Sequence, residues 1–124
     1  MSTDPRHLLG EAGERLAAEH LERLGYAIIA RRHRTRFGEL DLVAFDGTTI
    51  VFCEVKSRRG GGPRRSPFES LGPAKRAQVR RMAAAWLSEV RDRPRGAELR
   101  FDAIGVRLDG AGRLEALEHV EAAF

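Results

Sequence analysis

The sequence predicts one α/β domain in which a mixed five-stranded central sheet is flanked by helices. Two segments have helical periodicity and five have the pattern of strands, in the order helix, three strands, helix, two strands. The 124 residues are enough for one sizeable core and too few for two domains. No internal repeat or linker divides the chain, so we expect residues 1–124 to form a single domain.

The two helices are predicted from apolar side chains spaced three or four residues apart. The first spans residues 8–24 and ends at Gly25, a typical C-terminal stop. The second spans residues 73–91, and Trp86 lies on its apolar stripe. We therefore expect Trp86 in the core rather than on a base-stacking surface. The predicted apolar face of the first helix comprises Ala17, Leu21 and Leu24.

The strands are predicted from short apolar or alternating runs bounded by turn residues. Residues 50–55 are apolar on both faces of an extended chain, which indicates a central strand. Cys53 alternates with Glu54 and is expected to be a small buried thiol. Asp46-Gly47 predicts the tight turn of a hairpin. The predicted strands are 27–32, 39–46, 49–56, 98–108 and 114–120, with a basic connector at 33–36 and a long loop at 57–72.

The charge of the chain favours a polyanionic partner. The net charge is +4, and of the 22 basic residues all but Lys56 and Lys75 are Arg. Such a strong preference for Arg, in a chain also rich in Ala and Gly, indicates a coding bias that weakens arguments from Arg counts. The same bias strengthens the argument for Lys56, because a compact ammonium is retained where Arg would be the default.

Two carboxylates on the central hairpin predict a metal site. The turn brings Asp41 opposite or diagonal to Glu54, and Lys56 shares the strand face of Glu54. Carboxylates suit Mg²⁺ or Mn²⁺, and the Val55 carbonyl could add a further ligand. A divalent cation, an activated water and a nearby ammonium are what phosphodiester hydrolysis requires. Glu39, two residues before Asp41 on the same strand face, could be an outer ligand or a solvated edge residue.

Simpler interpretations of these acids remain open. Glu54 and Lys56 could form a surface salt bridge, with Asp41 an ordinary acid near a turn. Glu14 extends the core-facing side of the first helix and could join the site, or it could be a helix-start acid favoured by the dipole.

Other catalytic patterns are weaker. The histidines His7, His20, His33 and His119 lack metal-ligand spacing.

Basic residues in two segments are predicted to hold nucleic acid phosphates, together with a lysine at the start of the second helix. The chain has one Cys, no apolar run near 18 residues and no signal-peptide pattern, so we expect a cytoplasmic protein without a membrane partner. The predicted nucleic-acid-binding residues are Arg31, Arg32, Arg34, Arg36, Arg58, Arg59, Arg64, Arg65 and Lys75.

The sequence Gly-Glu-Leu-Asp-Leu at 38–42, followed by Phe-Cys-Glu-Val-Lys at 52–56, resembles the YraN-type uncharacterised bacterial family. The resemblance extends over nearly the whole chain. Two departures from the wider nuclease pattern stand out: Leu40 replaces the proline before Asp41, and Met82 stands where some relatives carry Tyr four residues after Gln78. The other matching positions are Gly10, Glu14, Gly25-Tyr26, Lys75, Arg100-Phe101-Asp102 and Ala123-Phe124.

This resemblance implies a single endonuclease-like domain with the restriction-endonuclease-like fold of PD-(D/E)xK nucleases, similar to archaeal Holliday junction resolvases. It implies Mg²⁺-dependent or Mn²⁺-dependent cleavage of DNA, with branched or structured DNA as a candidate substrate and a homodimer as the assembly. The alternative is a non-catalytic nucleic-acid-binding module or a partner protein in DNA processing. The residues that fall on the nuclease core positions are Glu14, Asp41, Glu54 and Lys56.

Overall fold

The computed structural model describes residues 4–60 and 72–124, and it confirms the mixed α/β architecture with a five-stranded sheet and two helices. The elements are α1 (Pro5–Arg23), β1 (Ala27–Thr35), β2 (Gly38–Phe45), β3 (Thr49–Arg59), α2 (Pro73–Glu89), β4 (Glu98–Leu108) and β5 (Leu114–Val120). The strands are ordered β1-β2-β3-β4-β5, so the apolar β3 is central, as predicted. Strands β3 and β4 are parallel, and every other neighbouring pair is antiparallel.

Both helices differ from prediction, α1 mainly at its start and α2 at its end. Helix α1 begins at Pro5 because the Asp4 side chain accepts a hydrogen bond of 2.9 Å from the Arg6 backbone N–H and caps the first turn. Helix α2 ends at Glu89, before the predicted end at residue 91, because Val90 is already extended.

Two strands are longer than predicted. Strand β1 continues to Thr35, so most of the predicted basic connector at 33–36 is strand. A basic edge strand exposes one face to solvent and lacks the apolar alternation that would have revealed it. Strand β3 continues to Arg59, which pairs with Leu108 of β4. Residues 57–59, which were predicted to belong to the loop at 57–72, are therefore part of β3.

Each helix covers one face of the sheet. Helix α1 packs on one face through Ala17 and Leu21, while α2 packs on the other, where Trp86 lies edge-to-face on Phe52 with ring centroids 5.8 Å apart. Trp86 is 2% exposed, which confirms its assignment to the core. Cys53 is a buried free thiol, as expected. The prediction for Leu24 was wrong: it is the C-cap of α1 and is 56% exposed.

Within residues 4–60 and 72–124, neither helix has the length and apolar character needed to cross a membrane.

Candidate metal centre

The centre of the site is the point where β2 and β3 separate. Their ladder ends at the pair formed by Leu42 and Cys53, so Asp41 and Glu54 are the next residues on the two strands. Beyond that pair, the Asp41 carboxylate takes the place of a ladder partner and accepts a hydrogen bond of 2.8 Å from the Val55 backbone N–H. In an extended strand the N–H and C=O of one residue point to the same side. The Val55 carbonyl therefore also faces this gap.

The β1–β2 ladder is irregular at the same level. It is paired on both sides of Arg32 and Asp41 but skips these two residues, and Arg32 has a left-handed φ of 46°. Leu40 packs on the α2 side of the sheet and Leu42 on the α1 side, although two residues so spaced normally share a face. This break in alternation turns Asp41 toward α1.

Helix α1 brings Glu14 to the same place. One carboxylate oxygen from each of Glu14, Glu39 and Asp41 lies within 4.8 Å of the others, a spacing that could hold a metal ion. Glu14 stands in the middle of α1. Its interpretation as a helix-start acid was therefore wrong. Glu39 contributes an oxygen to this cluster, next to Asp41 and Glu14.

Gly13 allows α1 to approach the sheet closely enough for this contact. A Cβ atom at Gly13 would lie 1.7 Å from the Ser57 Oγ of β3. A side chain here would push the helix away, and Glu14 with it.

Glu54 is buried beside a lysine of the second helix. The residue is 3% exposed, and its Oε2 lies 3.2 Å from the Lys75 Nζ. Its Oε1 is buried and has no hydrogen-bond partner in the described part of the chain. The surface salt bridge between Glu54 and Lys56 was thus a wrong interpretation. Lys56 lies two residues further along β3, on the same strand face as Glu54.

The Asp41 carboxylate is hard to ionise. Burial raises its pKa most, and the charge of Glu54 raises it further, while the hydrogen bond from Val55 opposes both; the resulting pKa is about 7. A buried carboxyl of this kind is stabilised as an anion when a cation binds beside it.

The donor set fits a hard divalent cation. Mg²⁺ and Mn²⁺ bind carboxylate and carbonyl oxygens, which Asp41, Glu14, Glu39 and the Val55 carbonyl provide. The Oε1 atom of Glu54 is a further buried oxygen, and it has no hydrogen-bond partner among the described residues. Such an atom is costly without one.

Among the predicted nucleic-acid-binding residues, Arg32 is already engaged with acids. Its Nε donates to Glu14 at 2.5 Å and its Nη1 to Glu11 at 3.3 Å. The hydrogen bond that Arg32 donates to Glu14 is the main cause that raises the pKa of Arg32. Arg31 and Arg32 line a pocket of about 330 Å³ next to these acids.

The other predicted basic residues lie around this region. Arg34 is exposed and lies 4.0 Å from Glu39, and the Arg36 guanidinium lies 4.7 Å from the Phe37 ring centroid. Arg58 and Arg59 close strand β3. Lys75 contacts Glu54 instead of facing solvent freely. The predictions for Arg64 and Arg65 lie outside the described residues.

A second polar cluster, which the sequence analysis missed, lies between α1, β4 and β5. Asp102 is 0% exposed and accepts hydrogen bonds from both Nε and Nη2 of Arg100, each of 2.8 Å. It also hydrogen bonds to His119 at 2.8 Å, and His119 to His20 at 3.0 Å. The two histidines are 99 residues apart, so spacing could not reveal their contact. The charged Asp102 within an apolar strand was the available signal.

The fold and the site define a mixed α/β domain with an acidic cluster, suited to a divalent cation, at a fork in its sheet. A family model described as "Uncharacterised protein family UPF0102" matches residues 13–106, and the chain belongs to this family. A UPF0102 protein of Pelotomaculum thermopropionicum is 43% identical over 121 residues, covering 98% of each chain. One of Chlorobium limicola is 40% identical over 128 residues, covering 100% of this chain and 96% of the relative. One of Acidothermus cellulolyticus is 56% identical over 84 residues, covering 68% of this chain and 63% of the relative.

Proposed function

We propose that this protein is a nuclease that hydrolyses phosphodiester bonds in DNA with Mg²⁺ or Mn²⁺ as its cofactor. One observation carries the proposal. The carboxylates of Glu14 and Asp41 meet where β2 separates from β3, and the buried Glu54 is the next residue of β3 beyond the last pair. These three acids come from α1, β2 and β3 and lie at a break in the sheet. Burying several carboxylates close together is unfavourable unless a positive charge compensates them.

The proposal includes a restriction-endonuclease-like fold. The mixed five-stranded sheet, with a helix on each face and the acids on β2 and β3, supports it. The resemblance of the segments 38–42 and 52–56 to PD-(D/E)xK nucleases points the same way.

The side chains of the site would have separate roles in the hydrolysis. When bound, the cation supplies Lewis-acid activation of the phosphodiester and of water. Asp41 and Glu14 would hold it, with Glu39 from the same oxygen cluster. Glu54 and the Val55 carbonyl would complete the ligand set. Lys56 orients the attacking water and stabilises the negative charge that develops on the phosphate. The Asp41 carboxylate is kept in place by the Val55 N–H.

Contacts with phosphates would supply most of the affinity for DNA. Arg31, Arg34 and Arg36 lie on or next to the exposed edge strand β1, and Arg58 and Arg59 lie at the end of β3. Such contacts position the backbone without reading bases, so the shape of branched or structured DNA would select the substrate. The resolvase resemblance also predicts a homodimer, which the particle mass in solution tests.

One observation favours a second candidate, a non-catalytic nucleic-acid-binding module. Arg32 and Lys75 already neutralise Glu14 and Glu54 from within the chain. On this account the acids organise basic residues that hold phosphates, and no cation is needed.

Cleavage of a labelled panel of linear, nicked and four-way DNA separates the two candidates. The nuclease should cut at least one substrate with Mg²⁺ and none with EDTA, and Asp41→Ala and Glu54→Ala should abolish cutting. Asp102→Asn is a matched control, because it alters a buried carboxylate away from the site. Cleavage that survives both site substitutions would refute the assignment, while binding without any cleavage would favour the module.

A further inference from the structure

The two buried carboxylates of the described chain are paired with different cations. Asp102 lies against Arg100, whose fork donates to Oδ1 and to Oδ2, each at 2.8 Å. Glu54 lies against Lys75, which contacts Oε2 at 3.2 Å and leaves Oε1 without a hydrogen-bond partner among the described residues. Both carboxylate oxygens of Asp102 therefore accept hydrogen bonds, whereas Oε1 of Glu54 accepts none from the described residues.

The choice of lysine at position 75 has a chemical reason. Arg presents a rigid fork that binds both oxygens of a carboxylate, whereas Lys is a point charge that can engage one. The chain has 22 basic residues and only two are Lys. Lys75 contacts Glu54 directly, and Lys56 follows Glu54 by two residues on the same face of β3. An Arg at either place would be the default for this chain.

We propose that Lys75 is a positioning residue of the metal site. It holds Glu54 through Oε2 and leaves Oε1 open for the divalent cation, which a guanidinium in its place would block. Lys75 was expected from the sequence to bind nucleic acid, and this assignment replaces that role. It rests on the proposed function, because it assumes that Glu54 binds the cation.

Lys75→Arg tests the assignment at constant charge. Mn²⁺ titration by calorimetry without DNA should give an affinity about 10- to 100-fold weaker than wild type, the usual effect of altering a residue that orients a metal ligand. Arg76→Lys, the opposite change at the exposed neighbouring position, should leave the affinity unchanged. In a Glu54→Gln background, Lys75→Arg should have no further effect, because Lys75 acts through Glu54.

A measurement on the wild-type chain does not depend on how the variant folds. With ¹³Cε-labelled lysine the protein carries two labelled residues, so two signals are expected. Paramagnetic Mn²⁺ should broaden the Lys75 signal, and diamagnetic Mg²⁺ should not.

The outcomes separate this inference from the proposed function. Wild-type protein that binds no Mn²⁺ would overturn both. Wild-type protein that binds Mn²⁺, with a folded Lys75→Arg variant of equal affinity or with a Lys75 signal that stays sharp, would overturn only the role of Lys75.

Discussion

The Asp41 carboxylate accepts a hydrogen bond of 2.8 Å from the Val55 backbone N–H, at the level where β2 and β3 cease to pair. A side chain thus replaces the missing partner strand at this position. The bond fixes the carboxylate in the fork between the strands, where burial and Glu54 make its charge unfavourable. The position of Asp41 is therefore held by the backbone, while its surroundings oppose its ionisation.

Asp41 should make the metal-free protein less stable as pH rises. Its folded pKa of about 7 lies above its ordinary value, so between these two values the folded state holds a proton that the unfolded state has lost. Stability falls across that window and levels off above it. From pH 5 to pH 8 in EDTA, the wild type should lose roughly 2–3 kcal/mol more unfolding free energy than Asp41→Asn. Urea denaturation at both pH values measures the two unfolding free energies. Equal losses in the wild type and in Asp41→Asn would contradict the prediction.

Arg32 should tolerate glycine better than alanine. Its φ of 46° is left-handed, which strains any residue with a Cβ atom. Both substitutions remove the ion pairs to Glu14 and Glu11, so their difference reports the backbone alone. Arg32→Gly should be more stable than Arg32→Ala by about 1 kcal/mol. At the paired position Arg31 the order should reverse. The same order at both positions would argue against strain at Arg32.

Asp102 should support stability without affecting the metal site. Burial would raise its pKa, but hydrogen bonds from Arg100 and His119 outweigh that effect and lower it. The stabilisation that Asp102 contributes is therefore fully present above its unfolded pKa of about 4. It is lost as the pH falls through the lower pKa of the folded state. Asp102→Ala removes a buried carboxylate from the half-buried Arg100, which keeps only Tyr26 and the exposed Glu121, and should cost about 3 kcal/mol at pH 7. Urea denaturation measures the cost, and a loss below 1 kcal/mol would contradict this role.

Gly13→Ala should destabilise the contact between α1 and β3. The added Cβ would lie 1.7 Å from Ser57 Oγ and 2.8 Å from Ser57 Cβ. Overpacking of this kind typically costs about 1–3 kcal/mol. Ser57→Gly removes both clashing atoms, so the double variant should recover most of the loss in unfolding free energy. A double variant whose loss equals the sum of the two single losses would show that the clash is not the cause.

The sequence predicted those parts of the fold in which one segment determines its own structure. The run 50–55, apolar on both faces, identified the central strand, and Asp46-Gly47 identified the hairpin turn. The full length of β1 could not be predicted, because an exposed edge strand has no apolar alternation.

The candidate site was predicted where its members share a hairpin and missed where they do not. Asp41 and Glu54 follow from the register of two adjacent strands. The contact between Lys75 and Glu54 depends on how α2 lies across the sheet, which no local pattern specifies. The left-handed backbone conformation of Arg32 could not be predicted from the sequence either, because Arg rarely adopts it.

The most direct test of the account is a calorimetric titration of Mn²⁺, repeated with Mg²⁺, into wild-type protein and Asp41→Ala at pH 8. Asp102→Asn serves as the control for a lost buried carboxylate. We predict that the wild type and the control bind the cation with equal affinity, and that Asp41→Ala binds it at least about tenfold more weakly. A wild-type protein that binds neither cation, or an Asp41→Ala variant that binds as tightly as the wild type, would contradict the assignment of these acids as a metal centre.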